Sequence, residues 1–192
     1  MKYSKEWLRE DELQRMMSLP DLDEKYEIWM LLMYGPALRV SEAINVRVRD
    51  LDIQNRSIDI RGGKGYHETE LRQARCDALT LKRLKRFAEA HKLKPNDFIM
   101  FSNKSKQVNR SHVYTVVNQI AHDAGIDKKI GCHTFRRSRA EHVLDRGIKL
   151  EIVSKFLRHR KLETTMKYLD VSVADVNREF DKIEDNMNLF IK

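Results

Sequence analysis

The stretch VRVRDLDIQNRSIDIRGGKGYHETELR, residues 46–72, holds three short runs in which polar and apolar residues alternate. Alternation with a period of two is typical of β-strands that bury one face. The runs are residues 46–54, 57–62 and 68–72. Asn55–Arg56 and Gly62–Gly65 provide the turns between them. We therefore predict a small three-stranded antiparallel sheet.

On both sides of this predicted sheet, apolar residues recur at the three- to four-residue spacing of helices. Gly125 and Gly147 are typical residues after a helix C-terminus, and Gly35–Pro36 ends the second helix. The predicted helices cover residues 5–18, 23–34, 40–46, 77–91, 110–124, 134–146 and 149–157, a short helix that carries Tyr168, and 173–192. DFIMFS, residues 97–102, reads as a buried extended segment. The prediction is a single domain over residues 1–192, mainly α with one small sheet.

The composition argues against several classes of protein. Hydrophobic residues make up 41% of the 192 residues, which favours a folded core over a disordered chain. No run of 18 apolar residues is present and the N-terminus has no apolar signal core, so we predict no membrane span and no secretory leader. Cys76 and Cys132 are too few for a disulfide framework, and Cys132 with His133 lacks the further ligands of a zinc site. We expect a metal-free protein of the reducing cytoplasm.

The net charge of +8 is concentrated in two blocks. Residues 72–94 hold 8 basic and 2 acidic side chains, and residues 128–161 hold 11 basic and 3 acidic ones. Such blocks indicate a positive face that attracts a polyanion, usually DNA, although on charge alone a solvated basic surface is an equal alternative. The candidate DNA-contacting residues are Lys82, Arg83, Lys85, Arg86, Arg137, Arg139, Arg158 and Arg160.

Two short motifs carry groups suited to phosphate chemistry. In LRVSE, residues 38–42, Arg39 at a helix start could grip a phosphate with its planar fork, and Glu42 one turn later could hold that arginine. In RGGKG, residues 61–65, Lys64 on a glycine-rich tip could donate a proton to a leaving oxygen. Taken alone, each motif fits an ordinary surface ion pair or a solvated turn better.

Two further motifs add imidazoles and a phenol. HTFR sets His133 and Arg136 three residues apart, on one face of a helix start, where they suit either phosphoryl transfer or simple DNA contact. LRHRKLETTMKY, residues 157–168, sets Tyr168 nine residues after His159. A tyrosine hydroxyl has an ordinary pKa of about 10 and becomes a nucleophile only beside cations or a base. A lone tyrosine would normally be a packing residue.

The order and spacing of these motifs resemble those of the tyrosine recombinase (phage integrase) family. The matching residues are Arg39, Lys64, His133, Arg136, His159 and Tyr168. The resemblance extends from about Trp7 to Phe180, and WLREDEL, residues 7–13, looks like the first helix of the family's catalytic domain. It implies the catalytic-domain fold of that family, with site-specific DNA recombination as the activity.

The resemblance implies a nucleophile and two groups that move protons. Tyr168 would attack the scissile phosphate to give a 3′-phosphotyrosine and a free 5′-hydroxyl. His133 would act as the base toward the tyrosine, and Lys64 would protonate the leaving 5′-oxygen. His67 competes with Lys64 for that role, and we favour Lys64 because it lies in the glycine-flanked turn.

The remaining matched residues would handle negative charge. By resemblance, Arg39 and Arg136 would clamp the non-bridging oxygens, His159 would hydrogen-bond the phosphate, and Glu42 looks like the family's acidic support residue. Guanidinium, ammonium and imidazole groups can take the part that metal ions play in other nucleases, so no cofactor is expected.

Three positions depart from the family's usual pattern. Arg158 stands where glycine often precedes the second histidine, and Arg137 stands where histidine often follows the second arginine. GYHETELR, residues 65–72, lacks the usual basic residue a few positions after the lysine. None of these changes removes a catalytic role.

The resemblance also implies partners. We expect double-stranded DNA and a homo-oligomer on DNA, as a tetrameric synapse, with a monomer in solution and no membrane association. The apolar face of the 173–192 helix would dock on a neighbouring protomer, with packing on its own domain as an equal alternative. The family's usual N-terminal DNA-clamping domain is expected to be absent from this chain.

Three rival interpretations remain open from the sequence. A type IB topoisomerase-like enzyme would use similar residues to relax supercoils without a second duplex. A non-catalytic DNA-binding regulator would use residues 134–146 and 149–157, around Gly147, as a helix-turn-helix, and would leave Arg39, Lys64 and Tyr168 unexplained. In a generic basic scaffold the ordered motifs would be coincidental.

Overall fold

A computed structural model describes residues 7–61, 71–131 and 133–159 of the chain. In this part the fold is mainly α with a three-stranded antiparallel sheet, which confirms the predicted fold class. The helices are α1 (Glu10–Met17), α2 (Glu24–Tyr34), α3 (Val40–Ala43), α4 (Ala78–Ala90), α5 (Arg110–Asp123), α6 (Thr134–Asp145) and α7 (Leu150–Phe156). The predicted helices around Tyr168 and over 173–192 lie outside the described residues.

Side chains at the helix ends explain why these helices begin and end where they do. Asp23, Asp77 and Asn109 each accept a hydrogen bond from a backbone N–H in the first turn of α2, α4 and α5. Gly125 and Gly147 adopt φ angles of +67° and +80° after α5 and α6, a conformation that favours glycine. Five of the seven helices begin and end within one residue of their predicted bounds; α1 begins at Glu10 rather than at residue 5, and α3 ends at Ala43 rather than at residue 46.

The sheet consists of β1 (Leu51–Asp52), β2 (Ser57–Arg61) and β3 (Leu71–Arg75), in that order and antiparallel throughout. Ile58 pairs with Leu51 on one side and with Ala74 on the other, so the inner face of the sheet is apolar. The predicted start of the third strand, residues 68–70, lies outside the described residues, and the strand extends to Arg75, three residues beyond its predicted end.

The predicted first strand, residues 46–54, is wrong over most of its length. Arg47 pairs only with Phe98, in an isolated bridge, and Val48–Asp50 form one turn of 3-10 helix. The Asp50 carboxylate accepts a hydrogen bond of 2.9 Å from the Arg47 N–H, which closes this turn. The segment 97–102 likewise forms isolated bridges in place of the predicted extended piece.

Helix α2 lies at the centre of the main hydrophobic core. It packs against α3, α4, α5 and α6, so its residues are buried on most sides. Trp29 is fully buried and meets the rings of Tyr26 and His112 edge-on. None of the described helices combines the length and apolarity that crossing a membrane would require.

A second, smaller apolar cluster joins three segments that are distant in sequence. It consists of Ala37, Ala140, Val153 and Leu157, all buried. These side chains hold α6 and α7 against the turn that precedes α3. Arg39 and His159 each lie two residues from a member of this cluster, and Arg136 lies one helical turn before Ala140, so the cluster brings together the segments that carry these three residues.

Candidate active site

Arg39 and Glu42 form the first part of the site, at the start of α3. Glu42 accepts hydrogen bonds of 2.9 Å from the Arg39 backbone N–H and 2.8 Å from its Nη1. The Arg39 side chain is 31% exposed and that of Glu42 only 2%. The predicted support of Arg39 by Glu42 is therefore present in the geometry, with the arginine facing the surface and the carboxylate beneath it.

Glu42 is surrounded by three guanidinium groups. Besides Arg39, Arg158 Nη2 lies 3.0 Å from Oε2 and Arg72 Nη2 lies 3.5 Å from Oε1. Burial by itself raises the pKa of Glu42, but the charges of Arg158, Arg39 and Arg136 and the Arg39 N–H outweigh it and lower that pKa to about 2. Glu42 is thus a buried anion that holds several cations together.

Arg136, in the first turn of α6, is fully buried. Its Nη1 donates a hydrogen bond of 2.5 Å to the carbonyl oxygen of Ala37, and its Nη2 donates to that of Leu157. One guanidinium therefore joins the turn before Arg39 to the segment that leads into His159. Ala37 and Leu157 are 120 residues apart in sequence. The Arg136 guanidinium therefore holds two distant segments of the chain together at the site.

His133 and His159 approach the same two arginines from different elements. His133 directly precedes α6, and His159 follows α7, where its N–H donates to the Ser154 carbonyl oxygen at 3.1 Å. Burial lowers the pKa of both imidazoles, and the charges of Arg136 and Arg39 lower both further, that of His159 to about 4. Both histidines are therefore neutral near pH 7 and able to accept a proton or a hydrogen bond.

These contacts bring together four of the six residues predicted to be catalytic: Arg39, His133, Arg136 and His159. Lys64 and Tyr168 lie outside the described residues, as does His67. Within the part of the chain that the structure describes, no group of three or more His, Cys, Asp or Glu side chains is suited to hold a metal ion.

The predicted DNA-contacting residues of α4 are in different environments. Lys82 and Arg86 are exposed, and Lys85 is partly buried. Arg83 is engaged with acidic residues of α2, at 2.6 Å from Glu24 and 2.7 Å from Glu27. Its guanidinium therefore joins α4 to α2 in this conformation.

The other predicted DNA contacts lie on or near α6 and α7. Arg137 is partly buried, and the Arg139 guanidinium lies 5.2 Å from the centre of the Tyr34 ring. Arg158 points inward to Glu42, with its side chain 9% exposed. Arg160 lies outside the described residues.

Sequence reasoning missed Arg72, which contacts Glu42 from β3. Arg72 occupies the same face of the strand as buried Ala74, while Leu71, Gln73 and Arg75 are exposed. An arginine at an inward position of an alternating strand was the available signal, because such a charge needs a partner.

The model of the phage integrase family matches residues 6–175. The chain is 27% identical over 179 residues to the tyrosine recombinase XerA of Pyrococcus horikoshii. The aligned region covers 91% of this chain and 60% of that protein. The chain thus spans about 60% of the length of this relative.

Two solved structures share the fold. A crystal structure of XerA recombinase matches with a TM-score of 0.78 and 24% identity, over 92% of this chain and 63% of that one. The XerH site-specific recombinase bound to difH substrate, in a pre-cleavage complex, matches with a TM-score of 0.71 and 21% identity, over 90% of this chain and 53% of that one. With the family model covering most of its length, the chain belongs to the phage integrase family.

Proposed function

We propose that this chain cleaves and rejoins double-stranded DNA in site-specific recombination, through a transient 3′-phosphotyrosine at Tyr168. The observation that carries the proposal is the convergence of Arg39, Arg136, His133 and His159, from three separate segments, around one buried carboxylate and one apolar cluster. Membership of the phage integrase family supports the same reaction.

In the proposed cleavage step, the phenol oxygen of Tyr168 bonds to phosphorus and the bond from phosphorus to the 5′-oxygen breaks. His133 accepts the phenol proton, since its lowered pKa keeps the imidazole neutral near pH 7. Lys64 donates a proton to the leaving 5′-oxygen. The phosphotyrosine retains the energy of the original ester, so a 5′-hydroxyl from another strand can reverse the step without nucleotide hydrolysis.

The charge that develops on the non-bridging oxygens would be met by the two arginines and His159. Arg39 is partly exposed and is the side chain that a phosphate reaches first. Arg136 is fully buried, so we propose that it holds Ala37 and Leu157 in place and adds its charge to the site from beneath. His159, neutral because its pKa is lowered to about 4, would hydrogen-bond an oxygen directly. No cofactor is required by this scheme.

The proposed substrate is duplex DNA, held mainly through its phosphates. XerH, which shares the fold, is bound to its difH substrate in the solved complex. The exposed basic residues Lys82 and Arg86 on α4 are suited to such contacts, which would make binding strongly dependent on salt. We further propose that the chain assembles on DNA as a homo-oligomer, a tetramer in the synapse, through the 173–192 segment.

The test is a nicked suicide duplex that carries the recombination site, incubated with the wild-type protein, with chelator and without ATP. The proposal predicts a protease-sensitive protein–DNA adduct with wild-type protein and none with Tyr168→Phe. Tyr114→Phe is the matched control, because Tyr114 is an exposed tyrosine of α5 that lies outside the proposed machinery. An adduct formed equally well by Tyr168→Phe would assign the nucleophile to another residue and refute the mechanism.

The same reagents separate recombination from supercoil relaxation by a lone protomer. With two duplexes that carry the site, recombination yields products that combine arms of both. A topoisomerase-like enzyme relaxes a supercoiled circle and yields no such products. If supercoiled circles are relaxed but no arms are exchanged between duplexes, under conditions in which Tyr168 forms the adduct, the activity is topoisomerase-like and not recombination.

A further inference from the structure

We propose that Arg158 is a positioning residue for this site, which fixes Arg39 and His159 relative to each other through a buried ion pair with Glu42. The inference rests on the proposed function. Arg158 lies directly before His159 and was predicted to contact DNA from the outside. Its side chain points inward instead and is only 9% exposed.

The Arg158 guanidinium makes four contacts with three segments. Nη2 donates to Glu42 Oε2 at 3.0 Å and to the carbonyl oxygen of Ala37 at 3.2 Å. Nη1 donates to the carbonyl oxygens of Pro36 at 3.3 Å and Phe156 at 3.0 Å. One planar group therefore joins the end of α7 to the turn before Arg39 and to the carboxylate that holds Arg39.

The backbone at Arg158 makes an arginine costly here. Its φ is +55°, in the left-handed region where a side chain is strained and glycine is not. Glycine would therefore be the unstrained residue at this position. An arginine is tolerated because its side chain gains an ion pair and carbonyl contacts that glycine cannot make. The side-chain contacts, rather than the backbone conformation, therefore explain an arginine at this position.

Glu42 acts as the shared anion of this arrangement. One of its oxygens, Oε1, binds Arg39 Nη1, while Oε2 binds Arg158 and the Arg39 backbone N–H. Arg72 approaches Oε1 at 3.5 Å. Without Arg158, Glu42 Oε2 would keep its hydrogen bond from the Arg39 N–H but lose the one from Arg158, and the carboxylate could shift toward Arg39 or Arg72. The segment that carries His159 would also lose the hydrogen bond from Arg158 to the Ala37 carbonyl oxygen. A displacement of this kind lowers the rate of the chemical step more than it lowers DNA affinity.

A lysine at position 158 could not make all four contacts of the Arg158 guanidinium. The guanidinium is a planar fork that reaches the carboxylate and three carbonyl oxygens in fixed directions, whereas an ammonium is a single point of charge. We therefore expect Arg158→Lys to keep the charge opposite Glu42 and to lose part of the carbonyl contacts. Arg158→Gly removes both and relaxes the backbone.

The experiment measures single-turnover cleavage of the suicide duplex and, separately, the Kd for intact duplex. For Arg158→Gly we expect a folded protein whose Kd changes by less than about threefold and whose cleavage rate falls by about 10- to 100-fold, a size typical of losing an orienting partner. Arg158→Lys should lie between Arg158→Gly and wild type. Added guanidinium ion, compared with sodium chloride of equal ionic strength, should restore part of the Arg158→Gly rate, which a general loss of stability would not allow.

A double-mutant cycle with Glu42→Gln provides the second measurement. The double variant should cleave no more slowly than the slower single variant, because both changes break the same contact. Full cleavage by Arg158→Gly, additive losses, or a rate that falls only in proportion to DNA affinity would overturn the positioning role. Should Arg158→Gly fail to fold, Arg158→Lys in the same cycle decides. Wild-type protein in every assay reports the proposed function: no wild-type adduct refutes both proposals, whereas a wild-type adduct with a fully active Arg158→Gly refutes only this one.

Discussion

Replacing Glu42 by glutamine should destabilise the protein in a way that depends on pH. The substitution keeps the size of the side chain and removes the charge that three guanidinium groups face. The fall in the pKa of this carboxyl from 4.5 to about 2 corresponds to about 3 kcal/mol of folding free energy. Because the side chain is 2% exposed, solvent screening reduces this value little. At pH 6 we therefore expect Glu42→Gln to lose about 3 kcal/mol of stability.

The sign of the pH effect follows from the direction of the shift. The folded protein lowers the pKa of Glu42, so the stabilisation is fully present above pH 4.5 and is lost as the pH falls toward 2. At pH 3.5 the advantage of wild type over Glu42→Gln should have shrunk by about 1 kcal/mol. The assay is urea unfolding of both proteins at pH 6 and pH 3.5, with Glu89→Gln, an exposed glutamate of α4, as the control. A difference below about 1 kcal/mol at pH 6, or one that stays constant with pH, would refute the buried anion described above.

Two further substitutions test how the fold supports the site. Ser138→Ala should lower the free energy of unfolding in urea by about 1–3 kcal/mol, because the buried Ser138 hydroxyl accepts a hydrogen bond from the Leu8 N–H and donates one to the Thr134 carbonyl oxygen, both at 2.8 Å. The control Ser111→Ala, at an exposed serine, should change the stability little. Equal losses for the two variants would show that these buried hydrogen bonds do not stabilise the fold. Arg83→Met should cost only about 1 kcal/mol, since the side chain is 34% exposed, and the loss should shrink at high salt. A loss that salt does not reduce would show that packing, and not charge, holds α4 to α2.

Most helices were predictable because their signals are local. Asp23, Asp77 and Asn109 are capping residues within three positions of the N–H that they accept from, and Gly147 supplies the conformation that ends α6. Such signals can be read from a short window of sequence. Helix α1 was predicted to begin at residue 5 and begins at Glu10.

Residues 46–54 show why alternation alone was insufficient. Val46 and Leu51 are both buried, although residues five positions apart would face opposite sides of one continuous strand, and Asp50 folds back on the Arg47 N–H. A carboxylate that can bond to the backbone three residues away competes with strand pairing. The alternating pattern therefore failed for the backbone conformation, and it also missed that Asp50 is buried and Ile53 exposed.

For the candidate site, the sequence indicated Arg39, His133, Arg136 and His159, which the structure brings near one another, but it indicated neither Arg72 nor most of the contacts among these side chains. The spacing of Arg39 and Glu42 within one helical turn predicted their ion pair, which is local. The contacts of Arg136 with Ala37 and of Arg158 with Glu42 join residues 99 and 116 positions apart in sequence. No sequence window contains both partners of such a pair, so an inward-facing Arg158 could not be distinguished from a surface arginine.

A crystal structure of the protein trapped on a suicide duplex would show directly whether the arginines and histidines of the site surround one phosphate. We expect one phosphorus bonded to the Tyr168 oxygen, with a guanidinium nitrogen of Arg39 and an imidazole nitrogen of His159 within about 3.2 Å of the non-bridging oxygens. An imidazole nitrogen of His133 should lie within about 3.2 Å of the Tyr168 oxygen. A phosphate bound elsewhere, with these three side chains turned away from it, would rule out the proposed mechanism.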